Sequence, residues 1–148
     1  MIKTIAKNKK AYYDYEIIEE IEAGIELQGP EVKSLRQNKC NLKGSFCKFF
    51  KNELFVFDMH ISKYETSDKF YNDDEIRNRK LLLHRKELNK WYGRIQKEQH
   101  LTIIPLHIYF NENNIVKIKI ALCKGKKKYD KRAAEKEKDI KRKLQQYK

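Results

Sequence analysis

Three groups of side chains in this chain could act on a phosphate. The first is Glu31-Val32-Lys33, an E-x-K with Asp14 upstream. Metal-dependent nucleases use such sets: carboxylates hold Mg2+ and the lysine orients an attacking water. That chemistry needs Glu and Lys on one face of a strand. Here Gly29-Pro30 precedes the E-x-K and favours the first turn of a helix, where Glu31 and Lys33 would stand about 200° apart. The second group is Lys117 and Lys119, alternating with Val116, Ile118, Ile120 and Leu122. This is a strand apolar on one side and lysine-lined on the other, a wall suited to phosphates. The third is residues 125–148, GKKKYDKRAAEKEKDIKRKLQQYK, which contribute +7 to a chain whose net charge is +13. Its block Lys126, Lys127 and Lys128 is placed to meet phosphates first.

Other chemistry is not written in the sequence. No GxSxG, HExxH, EF-hand loop or phosphate-cradling glycine loop occurs, and the five glycines are scattered. His60, His84, His100 and His107 lack metal-ligand spacing. The three cysteines, Cys40, Cys47 and Cys123, form neither a CxxC nor a Cys/His set, so small buried or half-buried thiols are expected rather than zinc or disulfides. No cofactor is expected. No apolar stretch approaches about 18 residues and no signal-peptide block opens the chain, so a cytoplasmic protein off the membrane is expected.

The elements that must position these groups follow from periodicity. Residues 13–17 and 23–27 alternate and read as strands. Gly29 can cap a helix over 30–37, with Pro30 at its first position and Glu31 at the positive end of its dipole. Asn38 tolerates the left-handed geometry that would close it. Residues 45–61 read as a hairpin turning at Lys51-Asn52. Phe55, Phe57, Met59 and Ile61 share one face and Leu54 and Val56 the other, which implies cover on both sides. The polar, aperiodic stretch 63–79 reads as a loop. His84 and Glu87 imitate a capping box for a helix striped by Leu88, Tyr92 and Ile95 and widened by Trp91. In Leu81-Leu82-Leu83, read as the approach to that helix, one leucine could be exposed. Residues 101–110 and 115–123 form the clearest hairpin, with 111–114 as its turn.

Five or six antiparallel strands and two or three helices fit a mainly β fold, a small closed barrel of the oligonucleotide-binding (OB) type. The division is 1–124 as an RNA-binding barrel and 125–148 as a basic tail, in a monomer. Lys9, Lys10 and the tyrosines of KNKKAYYDY suit RNA, since cations meet phosphate and tyrosines stack on bases; the alternative is a basic arm running into a strand with Tyr13 and Tyr15 in the core. On a helical wheel Tyr129, Ala133, Ile140, Leu144 and Tyr147 fall within roughly 60° of one another. So narrow a stripe describes a tail disordered alone and helical on a partner, about 30 Å long when folded.

The segments NKKAYYDYEIIEEIEAGIELQGPEVKSLR, NLKGS, RKLLLHRKEL, TIIP and ALCKGKKKYDKR resemble, in order and spacing, the small protein B (SsrA-binding protein) family, from about residue 8 to 132. The resemblance implies an OB-type barrel gripping the tRNA-like domain of tmRNA at its D-loop and elbow. It implies a tail that enters the empty mRNA channel near the ribosomal decoding centre during trans-translation. The family's RNA-binding residues fall on Asn8, Glu22, Leu82, His84 and Lys117. Lys9, Lys10, Lys33, Arg36 and Lys119 are counted with them as cations. The ribosome-directed set falls on Gly125, Lys126, Lys127, Tyr129, Asp130, Lys131 and Arg132, with Lys128, Ile140 and Leu144 in the same tail. Asn38 stands where the family usually has Gly, Tyr129 where it often has His, and Pro30 where Thr is common. Two readings stay beside this one: the Mg-dependent nuclease, and an OB-fold ribosome-associated protein without a tmRNA role.

Overall fold

The computed structural model describes residues 2–63 and 75–125. Its elements are β1 (Lys3–Lys7), α1 (Lys9–Asp14), β2 (Tyr15–Ile25), α2 (Gly29–Arg36), β3 (Cys40–Asn41), β4 (Phe46–Phe50), β5 (Glu53–Phe57), β6 (His60–Ile61), β7 (Arg79–Leu82), α3 (Arg85–Lys97), β8 (Leu101–Phe110) and β9 (Val116–Gly125). All strand pairs are antiparallel. The pairings run β8-β4-β5-β7-β2-β9, and β9 pairs again with β8. The ring is therefore closed, with β1 on the remaining length of β8 and β3-β6 as a separate ribbon. Closure removes the exposed sheet edges of an open β protein, as the OB-type expectation required.

Period two fills the interior. Ile118, Ile120 and Leu122 of β9, Leu54 and Val56 of β5, Leu81 of β7 and Ile103 and Ile108 of β8 are almost fully buried. Leu35 of α2 and Leu88 and Trp91 of α3 join the same core. A second apolar cluster lies outside the ring: Ala11 of α1 meets Phe46, Ile104, Leu106, Ala121 and Cys123. Small residues at Ala11 and Ala121 let the helix approach the sheet closely.

Several expectations hold. The helix starting at Gly29 is present, and Asn38 closes it at φ 58. Lys51 and Asn52 have φ 50 and 65, the double left-handed turn that matches the twist of a two-residue hairpin. Glu87 Oε1 accepts from the His84 N–H at 3.3 Å, the reciprocal half of the capping box. All three cysteines are free thiols, and burial pushes those of Cys40 and Cys123 up to about 12.

Other expectations change. Tyr13 and Asp14 belong to α1, not to a strand, and Tyr13 is exposed. The cause is Asn8, whose side-chain oxygen accepts from Ala11 N–H while Nδ2 donates to the Pro105 carbonyl. That carbonyl lies at a bulge between Pro105 and His107. The rest of the first alternating segment, from Tyr15, and the second, as far as Ile25, prove to be the two ends of one long strand, β2, with a bulge between Ile17 and Glu19. Met59 and Ile61 do not continue the face of Phe55 and Phe57. Asp58 takes φ 59 and breaks the strand, turning Met59 and Ile61 into the core. Leu81 and Leu82 form β7 rather than a helix approach, so alternation buries Leu81 and leaves Leu82 exposed. Tyr92 is 40 % exposed, its edge on Phe49. Of the stretch read as a loop, 64–74 lies outside the described residues, and Arg79 already belongs to β7.

Candidate nucleic-acid interface

Directly opposed residues of an antiparallel pair share a face, so the register assembles the site. One outer row crosses five strands: Thr4, Tyr109, Lys117, Gly24 and Leu82. The row beside it is Lys7, His107, Lys119 and Glu22. Four residues singled out in the sequence, Glu22, Leu82, Lys117 and Lys119, thus come together from three strands. His84 follows two residues after Leu82 as the cap of α3, and is exposed.

Each member is held. The Tyr109 hydroxyl donates to Glu22 Oε2. Burial, and then the Glu22 carboxylate, push the Tyr109 hydroxyl well above its ordinary value, so it stays a donor. Its ring lies 5.1 Å from that of His107. Burial, then Lys119 and Lys7, push His107 below its ordinary value, keeping it neutral between its lysines. Leu82 packs over Gly24, where a side chain would crowd it. The result is one carboxylate with a fixed acceptor geometry, two half-buried lysines and one leucine, the mixture that meets phosphates, base edges and sugar on structured RNA.

Asn8 is buried, and both ends of its amide are used inside the protein. It sets the start of α1, which presents Lys9, Lys10, Tyr12 and Tyr13 to solvent next to Lys7. Lys33 and Arg36 lie elsewhere, on α2. Arg36 lines a cavity of about 290 Å3 with Lys3, Phe110 and Asn114 at the end of the barrel. Gly125 ends β9 opposite Tyr15. Lys126, Lys127, Lys128, Tyr129, Asp130, Lys131, Arg132, Ile140 and Leu144 lie outside the described residues.

The E-x-K has a different use. Glu31 accepts from Gln28 N–H at 2.8 Å, from Arg77 at 2.6 and 3.1 Å, and from Arg79 at 2.7 Å. Arg79, with no exposed surface, also donates to the carbonyls of Met59, Arg77 and Glu75. Burial pushes the Glu31 carboxyl up, but the bonds from Arg77, Gln28 and Arg79 outweigh it and hold the group below its ordinary value. Its lone pairs are engaged, so it is a lock between α2 and β7. No metal-holding group of His, Cys, Asp and Glu occurs among the described residues.

Sequence reasoning missed Tyr109, His107 and the Arg77-Arg79 pair. The alternation of His107 and Tyr109 with Leu106, Ile108 and Phe110 was the available signal for the first two.

A closed antiparallel barrel bearing this face is an OB-type protein of the nucleic-acid-binding kind. The model of the SmpB protein family matches residues 5–148. The SsrA-binding protein of Helicobacter hepaticus (strain ATCC 51449 / 3B1) is 52% identical over 141 residues, 95% of this chain and 90% of that protein. That of Thermosipho africanus (strain TCF52B) is 51% identical over 146 residues, 99% and 97% of the two. A chain from a solved structure described as "tmRNA-SmpB: a journey to the center of the bacterial ribosome" superposes with a TM-score of 0.67 at 46% identity, covering 85% of this chain and 87% of that one. The chain belongs to the SmpB protein family.

Proposed function

We propose that this chain is a non-catalytic RNA-binding adaptor for ribosome rescue. It binds the tRNA-like domain of tmRNA through its barrel and delivers it to stalled ribosomes. Its basic tail, residues 125–148, enters the empty mRNA channel in trans-translation. Membership of the SmpB protein family and the SsrA-binding name of its relatives support the partner. The observation that carries the barrel's part is the outer face, where Glu22, Leu82, Lys117 and Lys119 converge from three strands and Tyr109 fixes the carboxylate. The Glu31 carboxylate, saturated by two arginines, speaks against the nuclease. No helix of the described residues is long and apolar enough to cross a membrane, in keeping with work in the cytosol beside ribosomes.

The test is binding of the full chain, and of a form ending at residue 124, to a tRNA-like tmRNA fragment at two salt concentrations with ordinary tRNA as competitor. Both forms are expected to bind with similar affinity and to resist competition. Full competition by tRNA would leave an OB-fold protein without a tmRNA role. Loss of binding on truncation would make the tail, not the barrel, the reader. Cleavage of the RNA on adding Mg2+ would restore the nuclease.

A further inference from the structure

The outer face does not end at Leu82. Across β7, β5 and β4 the register places Lys80, Phe55 and Lys48 in one row. Phe50 and Glu53 face each other at the hairpin tip beyond it. Phe50 is 58% exposed, its ring 6.2 Å from that of Phe55. Lys51 Nζ lies 5.4 Å from the Phe50 ring centroid. Glu53, the acid at the tip, is neutralised by Arg85 at 2.6 Å, and Arg85 also donates to the Asn52 carbonyl at 2.8 Å. Those two bonds tie the hairpin tip to the first residue of α3, beside His84. An apolar ring this exposed adds nothing to the core, and Lys48, Lys51 and Lys80 give its surroundings the sign that attracts a polyanion. Flat aromatic faces ringed by lysines are what unpaired bases seek: the base stacks, and its phosphates meet the ammonium groups.

We infer that the β4-β5 hairpin is a stacking platform for an unpaired nucleotide of the same RNA that occupies the Glu22-Lys117-Leu82 face. The inference rests on the proposed RNA-binding reading. Continuity through Lys80 and Leu82 on one strand, and through Arg85 next to His84, assigns the occupant to that RNA rather than to the ribosome.

The probe is the full-length Phe50→Trp variant. Trp91, the chain's single native tryptophan, is 1% exposed and gives a constant background. The ligands are the tRNA-like tmRNA fragment and the same fragment with its unpaired nucleotides annealed to complementary DNA. The free fragment is expected to quench the introduced emission and the annealed one to leave it unchanged. Phe50→Ala should bind the free fragment about 5-fold or more weaker than the native chain, and both proteins should bind the annealed fragment alike. Equal binding of the free fragment by Phe50→Ala and the native chain overturns the platform. So does quenching that appears only when ribosomes are added. If Lys119→Ala still weakens binding in that case, the barrel face stands and only the platform falls. If the native chain does not prefer the fragment to ordinary tRNA, both fall.

Discussion

Gly24 lies directly opposite Leu82, and a Cβ at position 24 would stand 3.2 Å from the Cβ of Leu82. The glycine makes room for a leucine that lies 47% exposed on the outer face proposed to bind RNA. Gly24→Ala is expected to push Leu82 outward. Loss of glycine's freedom in the unfolded chain is worth about 0.4–1 kcal/mol and offsets the crowding. Thermal melting should therefore change little while affinity for the tmRNA fragment falls several-fold. A large drop in melting temperature would show that Leu82 cannot move.

Tyr109→Phe removes the bond to Glu22. Hydrogen bonds to charged groups contribute about 1.5–3 kcal/mol, so chemical denaturation should show a loss on that order. Because the folded pKa of Tyr109 is raised from 10.0, the folded state holds that proton more tightly. Its contribution is full below pH 10.0 and is lost as pH rises beyond it. The native chain should therefore lose its margin over the variant in alkali. A margin that stays constant across that range would contradict the coupling.

Glu31→Gln leaves Arg79 buried without its counter-charge, and breaking such a pair costs about 3–5 kcal/mol. The Glu31 carboxyl is held below its ordinary value of 4.5. Its contribution is thus complete above that pH and is lost as pH falls through the folded value. Urea midpoints of native and variant chains should differ most at neutral pH and converge in acid.

Lys117→Ala and Lys119→Ala each remove one cation from the outer rows. If both lysines meet phosphates, each substitution should reduce the slope of log affinity against log salt by about 0.7–0.9. An unchanged slope with weaker binding would assign that lysine to a base or sugar instead.

Asn8→Ala should act first through stability. The substitution removes a cap, worth about 1 kcal/mol, and the bond to Pro105. A loss of RNA binding by this variant at temperatures where circular dichroism shows α1 intact would add a direct contact to its structural role.

The parts of the fold that were legible in the sequence are those specified locally. The β8-β9 hairpin announces itself through Val116, Ile118, Ile120 and Leu122, and Lys117 and Lys119 were visible in the same alternation. The Lys51-Asn52 turn needs only two residues that accept positive φ. The parts that were hidden depend on distant partners. α1 forms because Asn8 meets a carbonyl 97 residues away, which no window around KKAYYD reveals. Arg79 looked like part of a polar loop because its counter-ion sits on α2. Glu22 was reached only through the family resemblance, since a glutamate alternating along β2 looks like any solvated strand residue.

β9 is hydrogen-bonded along nearly its whole length on both sides, by β2 from Tyr15 to Gly24 and by β8 from Leu101 to Phe110. The tail therefore leaves the barrel from a strand gripped by two ladders. A pull on the tail along the strand axis loads both ladders at once in shear, and no single bond can be peeled ahead of the others. Lys117 and Lys119 ride on that same strand. Tension arriving at the end of that strand thus reaches the face proposed to bind RNA through a stiff linkage without slack.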